Sequence, residues 1–260
     1  MGIINATPDS FFAASRTLAV DLAIERAAQM IAEGAELIDV GGESTRPGAL
    51  PVTPSQEIER VVPILEALRK RFPVTLSVDT SKPEVMTAAL AVGADFINDI
   101  RALRVPGALE IAAASSARIC LMHLRGEPAT MQDAPYYQDV VREVAEFLQE
   151  RAQVCVAAGI ARERLIIDPG IGFGKLLIHN QLLLRNLPEL TALGLPVMVG
   201  VSRKSLIGAI LDLPVDRRLH GSVALALYAA GRGAAILRVH DVGPTVEALR
   251  VMHAVSEAHG

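Results

Sequence analysis

An eightfold alternation constrains this chain more than any other feature: a short apolar run rich in β-branched residues, then a longer amphipathic run. The short runs fall at 2–5, 37–40, 75–78, 96–98, 119–122, 165–167, 197–199 and 235–239. Runs this short and this continuously apolar read as strands buried on both faces, a property of parallel sheets covered by helices. The long runs carry helical signals. Val20, Ile24, Ala27, Ala28 and Ile31 share one helical face, closed by Gly34. Thr53-Pro54-Ser55-Gln56 offers a capping box with proline at the first helical position. From about Tyr137 a helix buries Val141, Val144, Leu148 and Cys155 and ends at Gly159; the last helix starts near Pro244. Eight even βα units, with no linker or low-complexity tract between them, predict a single α/β domain over residues 1–260. The predicted architecture is a closed (β/α)8 TIM barrel in preference to a doubly wound open sheet. A length of 260 residues suits one such barrel, which needs about 250.

Hydrophobic residues make up 51% of the chain, yet aromatics only 3% and tryptophan none, so the core must be built from Ala, Val, Ile and Leu. The mean hydropathy of +0.35 raises the question of a membrane. No uncharged run approaches the roughly 18 residues of a spanning helix, and the most apolar stretch, 223–239, is interrupted by Arg232, Gly233 and Arg238. The opening MGIINATPDS has no basic segment ahead of an apolar one, so a cytoplasmic location is expected. Cys120 and Cys155 form no CxxC and read as buried free thiols of a reducing compartment. Asn5-Ala6-Thr7 matches a glycosylation pattern by coincidence on this reading. With 25 basic against 29 acidic residues, the net charge of −4 gives no general attraction to nucleic acid or anionic membrane. Any anion recognition must be local.

Barrel enzymes place their sites at the C-terminal ends of the strands, and here those ends are polar all round. The first strand ends in Asn5 and leads to Thr7-Pro8-Asp9-Ser10. The second reaches Asp39 and then 41–48, with Glu43, Thr45 and Arg46. The others end in Asp79-Thr80-Ser81-Lys82, Asn98-Asp99, Met122-His123, Asp168-Pro169-Gly170, Gly200 followed by Ser202-Arg203-Lys204, and Arg238, His240 and Asp241. Helix capping explains any one of these residues; it does not explain all eight ends, which would converge on one mouth. Recessed Asp79, Asn98 and Asp168 suit a flat heterocycle with several N–H donors. Arg46, Arg238 and His240 suit phosphates at the rim. Ser202-Arg203-Lys204, read as the opening of a helix, suits a carboxylate or phosphate. Other chemistries lack their motifs. The segment 170–175, GIGFGK, misses the GxxxxGK[ST] spacing; 200–204, GVSRK, is not a GxSxG elbow; the six histidines show no HExxH.

The motifs, in order, are MGIINATPDSF (1–11), GGESTRPGA (41–49), SVDTSKPEV (77–85), FINDI (96–100), LMH (121–123), DPGIGFGK (168–175), GVSRKSLIG (200–208) and RVHDV (238–242). Together they resemble the dihydropteroate synthase family along nearly the whole chain. That resemblance implies condensation of 6-hydroxymethyl-7,8-dihydropterin diphosphate with para-aminobenzoate, C–O cleavage running ahead of amine attack. It implies that Asp79, Asn98, Met122, Asp168, Gly200 and Lys204 hold the pterin, with Asp79, Asp168 and Lys204 catalytic. Thr45, Arg46, Phe173 and Ser202 would shape the para-aminobenzoate side. Asn5, Arg238 and His240 would bind the diphosphate, with Mg2+ as cofactor on Asn5. A homodimer is expected, through the late helices.

Two departures from the family pattern stand out. The first loop usually reads TPDSFSDGG and here reads TPDSFFAAS, so Ala13 replaces an acidic residue. The family also usually carries a segment before strand one that plugs the barrel bottom; the chain as read begins at that strand, and reduced stability with unaltered chemistry is the expectation. A pterin-dependent methyltransferase on the same barrel would need neither the SRK segment nor RVHDV. A paralogue that binds the pterin diphosphate without making dihydropteroate has only the altered first loop in its favour.

Overall fold

The computed structural model describes residues 1–6, 16–44, 51–127 and 130–258. Its strands are β1 (Gly2–Asn5), β2 (Leu37–Gly41), β3 (Thr75–Asp79), β4 (Phe96–Asp99), β5 (Arg118–Met122), β6 (Leu165–Asp168), β7 (Val197–Val199) and β8 (Ala234–Leu237). They pair in chain order, every pair parallel. The ring closes where Gly2 bridges Val239: Ile3 N donates to Val239 O at 3.1 Å, and Val239 N to Met1 O at 2.9 Å. The predicted TIM barrel is therefore the observed fold. The predicted strands match to within a residue except the last, whose regular ladder stops at Leu237 and leaves Val239 to carry the closing bridge.

Ten helices lie among the described residues: α1 (Arg16–Ala32), α2 (Pro54–Arg71), α3 (Pro83–Ala91), α4 (Ala108–Ala114), α5 (Val140–Ala157), α6 (Leu177–Arg185), α7 (Leu187–Thr191), α8 (Ser205–Leu211), α9 (Leu219–Ala230) and α10 (Val242–Ser256). The capping box of α2 forms as read, Gln56 N donating to Thr53 Oγ1 at 3.3 Å and Thr53 N to Gln56 Oε1 at 3.0 Å. α5 buries the expected Val141, Val144, Leu148 and Cys155. It starts at Val140, later than expected, because the Asp139 carboxylate caps the amides of Val141 and Arg142. α10 starts two residues before Pro244. The α1 stripe needs correction. Its buried residues are Ala19, Ala23, Ile24, Ala27 and Met30, while Val20, Ala28 and Ile31 are only half-buried. Met30 explains the rotation: its Sδ lies so close to Gly2 that a Cβ there would sit at 2.7 Å, so the helix rolls to bring Met30 and the small alanines onto β1.

The two-residue period of the strands sorts side chains between two environments. Outward residues such as Ile38, Val40, Leu76 and Val78 pack with Ile64, Leu65 and Leu68 of α2; Ile119, Ile167 and Val199 pack in the other large cluster with Leu148 of α5. Inward residues divide by height. Phe96, Cys120, Ile166 and Met198, with Met1, Leu37 and Ile236 against them, form an apolar floor. Above it the same strands turn polar: Leu37 gives way to Asp39, Phe96 to Asn98, Ile166 to Asp168 and Ile236 to Arg238. Both cysteines are free and buried. Among the described residues no helix is long and apolar enough to cross a membrane.

Candidate active site

The polar layer is organised around Asp39, a residue that sequence reasoning passed over. Its carboxylate is fully buried. It accepts Ser77 Oγ–H on one oxygen, and on the other Asn98 Nδ2 at 3.1 Å and Arg238 Nε at 2.6 Å. Arg238 then donates through Nη2 to Asp79 Oδ2 at 2.6 Å. One guanidinium thus spans two carboxylates inside the barrel, deeper than the rim position expected for it. Burial opposes its charge, but Asp39 and Asp79 outweigh burial and hold its pKa above the ordinary value. Burial pushes Asp79 up to about 7 against the pull of Arg238, and Asp39, Glu57 and Asp99 add to the rise. The signal for Asp39 was in the sequence: Leu37, Asp39 and Gly41 alternate as inward residues of β2, in line with Ser77 and Asp79 of β3.

Across the mouth, Asp168 ends β6 and accepts Gly170 N at 2.7 Å. Burial raises its pKa while Lys204 pulls it down. Lys204 reaches in from the far side, donates to the carbonyl of Ile171, and lies 4.8 Å from the centre of the Phe173 ring. Burial brings it down to about 8, with Asp168 opposing the fall. Gly200 and Gly172 flank its path: a Cβ at Gly172 would meet Lys204 Cδ at 3.3 Å, and one at Gly200 would meet Nζ at 3.7 Å. Met122 and Phe173 share an apolar wall with Ile100, Leu124 and Met131. Asn5 ends β1, half-buried and in register with Gly41, which is itself in register with Asp79. Ser202 Oγ lies 3.0 Å from His240 Nδ1 and accepts the His240 amide at 3.2 Å, joining residues expected on opposite substrates.

One part of the anion reading is corrected. α8 begins at Ser205, with Lys204 as its cap, so Ser202-Arg203-Lys204 is not a helix start. Arg203 adopts a left-handed φ of 58°. That turns Lys204 into the barrel, and the Arg203 guanidinium is taken by a two-pronged pair with Asp241. Thr45 and Arg46 lie outside the described residues, as does the divergent first-loop segment 7–15.

The glycine-rich segment after β6 is a scaffold. Gly170, Gly172 and Gly174 all have positive φ, at 67°, 86° and 60°. A Cβ on Gly170 would overlap the carbonyl oxygen of His123, and one on Gly174 that of Arg125. Inside this turn Lys175 is buried, its Nζ 3.0 Å from Gly170 O, 2.9 Å from Phe173 O and 2.9 Å from His123 Nδ1. Outside the ring, Lys82 bridges Glu43 at 2.8 Å and the buried Glu57, while Val52 N closes onto Glu43 at 2.9 Å. A cavity of about 440 Å3 lined by Arg104, Phe147 and Glu150 lies beside α5; the convergent side chains, and not that cavity, mark the site.

Among the described residues no cluster of three or more His, Cys, Asp or Glu could hold a metal. The Asn5 carbonyl oxygen at the strand end is a hard donor of the sort Mg2+ uses when phosphates and water complete its shell.

Residues 1–240 match the family of pterin binding enzymes. The chain is 52% identical to the dihydropteroate synthase of Haemophilus influenzae over 258 residues, 99% of this chain and 94% of that one. It superposes on the Yersinia pestis dihydropteroate synthase in complex with a sulfonamide drug with a TM-score of 0.95 at 52% identity, covering 99% and 94% of the two chains. With the Xanthomonas albilineans dihydropteroate synthase in complex with 7,8-dihydropteroate the TM-score is 0.91 at 46% identity, covering 100% and 94%.

Proposed function

Because the chain belongs to the dihydropteroate synthases, we propose that the polar ring above the barrel floor is the seat of that reaction. The enzyme condenses 6-hydroxymethyl-7,8-dihydropterin diphosphate with para-aminobenzoate, giving 7,8-dihydropteroate and diphosphate. The observation that carries the assignment of the site is the convergence of Asp79, Asn98, Asp168 and Lys204 on one recess, with Arg238 held between carboxylates beside them.

In this reading Asp79 and Asp168 accept ring N–H groups, Asn98 offers its amide oxygen, and Lys204 donates to the ring. Met122 packs on the ring face and Gly200 leaves room for the Lys204 chain. Phe173 and Ser202, with Thr45 and Arg46, receive para-aminobenzoate. Asn5, Arg238 and His240 hold the diphosphate. Mg2+, bound through Asn5 and the phosphates, would neutralise charge on the departing oxygen.

The bond from the methylene carbon to the diphosphate oxygen breaks ahead of attack, leaving positive charge spread over the pterin. Asp79 and Asp168 stabilise that charge across a water-poor recess, where fixed charges act strongly. The arylamine nitrogen then forms the C–N bond and gives up a proton to the released diphosphate, whose oxygens gain basicity on C–O cleavage. An arylamine is neutral near pH 7, so the site needs no strong general base. A homodimer is part of the proposal: exposed Ile210 and Leu211 on α8, Tyr228 on α9, and Val251 and Val255 on α10 supply apolar surface on the late helices. The cytoplasm is its expected compartment, consistent with two free thiols.

The test is dihydropteroate formation with Mg2+, wild type against Lys204→Ala. A fall of about a hundredfold or more in the variant is expected, the scale of removing a donor that stabilises developing charge. Undiminished turnover would remove Lys204 from the site. Asp79→Asn is expected to lower turnover more than pterin affinity; equal losses would reduce Asp79 to a binding group.

A further inference from the structure

We propose that Asp39 is a positioning residue that sets the hydrogen-bond polarity of the pterin recess, acting through Asn98 and Arg238. The inference rests on the reading that those two residues hold the pterin diphosphate, and it adds a residue that has no direct part in it.

The argument begins with what a carboxylate can do. An ionised carboxylate only accepts hydrogen bonds. Asp39, fully buried at mid-height in the barrel, is surrounded by donors: Ser77 Oγ on one oxygen, Asn98 Nδ2 and Arg238 Nε on the other. An asparagine amide is otherwise free to rotate and exchange its oxygen for its nitrogen. Against Asp39 it has one favourable orientation, nitrogen inward and oxygen away. The group that Asn98 offers a ligand is therefore an acceptor, and the choice is made by its neighbour.

The same oxygen fixes Arg238. With Nε on Asp39 and Nη2 on Asp79, the planar guanidinium is held at two corners. Among the described residues Nη1 has no hydrogen-bond partner, so this is the nitrogen left for an incoming anion. Removing Asp39 would loosen both groups at once. It would also leave Arg238 to Asp79 alone, tying up the carboxylate that the ring needs. Asp39 thus converts two adaptable side chains into a recess with a defined donor and acceptor pattern before substrate arrives.

The experiment compares Asp39→Asn, Asp39→Ser and Asn98→Ala in the full chain. Two quantities are measured: calorimetric binding of the pterin diphosphate with Mg2+ and no para-aminobenzoate, and steady-state kinetics in both substrates. Asp39→Asn is expected to weaken pterin diphosphate binding about tenfold or more, the scale of a lost charge-assisted hydrogen bond. KM for para-aminobenzoate should stay within about twofold, since its proposed contacts are elsewhere. Asp39→Ser, whose shorter hydroxyl can also accept but does not reach as far as the asparagine amide, should weaken binding at least as much, and it serves if the asparagine variant does not fold.

A pH profile supplies a readout that a structural role would not move. Asp39, Glu57 and Asp99 disfavour ionisation of Asp79 while Arg238 favours it, and Asp79 in turn favours the charged form of Lys204. Loss of the Asp39 charge alone should shift the acid limb of kcat/KM for the pterin diphosphate to lower pH. If Asp39→Asn lowers only the melting temperature, with pterin binding and the acid limb unchanged, the inference is overturned. If Asn98→Ala leaves pterin binding intact, the pterin-site reading itself fails. Loss in Asn98→Ala with retention in both Asp39 variants rejects the positioning role alone.

Discussion

Lys175 takes an amine into the protein interior, where it donates to the carbonyls of Gly170 and Phe173 and lies against the ring nitrogen Nδ1 of His123. A cationic imidazole has no favourable place beside that buried amine. Burial, reinforced by Lys175, pushes the His123 pKa down to about 2. An unfolded histidine titrates near 6.5. Below that pH the unfolded chain takes a proton that the folded one refuses, so this contribution is present above pH 6.5 and is lost as the pH falls below it. Asp79 acts in the opposite sense: its raised pKa lets the folded state keep a proton that the unfolded state releases between about pH 4 and 7. Only a variant separates the two. Urea unfolding of wild type and His123→Gln between pH 7 and 5 should show the wild type losing up to about 1.4 kcal/mol per pH unit more than the variant. Parallel lines would mean that His123 is not held neutral. Single residues were the hardest thing to read from sequence. Lys175 sat in a motif that was rejected as a phosphate loop, with nothing to indicate that its amine turns back on the turn preceding it. Asp39 was visible as a polar strand end, but its three donors come from residues 38, 59 and 199 positions away.

Lys82 joins three elements. It caps the start of α3 and reaches Glu43 beyond β2 and Glu57 in the first turn of α2. Glu57 is fully buried, and its Oε1 has no hydrogen-bond partner among the described residues. Lys82→Met would strip this carboxylate of its counter-charge. Breaking a buried pair on one side costs about 3–5 kcal/mol, and chemical denaturation should register a loss of that order. The double variant Lys82→Met with Glu57→Gln should recover part of it; a double variant as unstable as the sum of the singles would show that the pair is not coupled. Elements were legible where local signals decide them. The Thr53 capping box and the α5 stripe depend on neighbours in sequence, and both formed as read. The errors lie where a distant partner decides. Met30 against Gly2 rolls α1, and the left-handed Arg203, paired with Asp241, postpones α8 to Ser205.

The whole barrel was the most legible level, because eight repeats of one pattern leave few alternatives and the closing bridge needs only that β8 reach β1. The position of the site followed from the same rule, since polar strand ends must share the mouth. Thr45, Arg46 and the altered segment 7–15 fall outside the described residues, so the para-aminobenzoate side rests on Phe173 and Ser202. Association is a property of the whole molecule. Val251 and Val255, 66% and 72% exposed, lie one turn apart on α10. If the late helices form the dimer, sedimentation should give twice the chain mass for wild type and the single mass for Val251→Glu with Val255→Glu. A variant that remains dimeric would move the interface elsewhere; a monomeric wild type would remove it.

Lys175 of the β6 turn and Lys204 beyond β7 both donate to main-chain carbonyls of that turn. Lys204 rests on the carbonyl of Ile171 and Lys175 on those of Gly170 and Phe173. Every amino acid supplies that oxygen, so the residues touched are not the residues on which the contacts depend. Ile171 can drift in identity, within the limits of packing, without Lys204 losing its hold. The glycines at 170, 172 and 174 cannot, because their left-handed backbone aims the carbonyls. A survey of tolerated substitutions would thus mark three residues that lack side chains as the heritable part of a lysine site, and would report Ile171, whose carbonyl is contacted, as replaceable by other apolar residues.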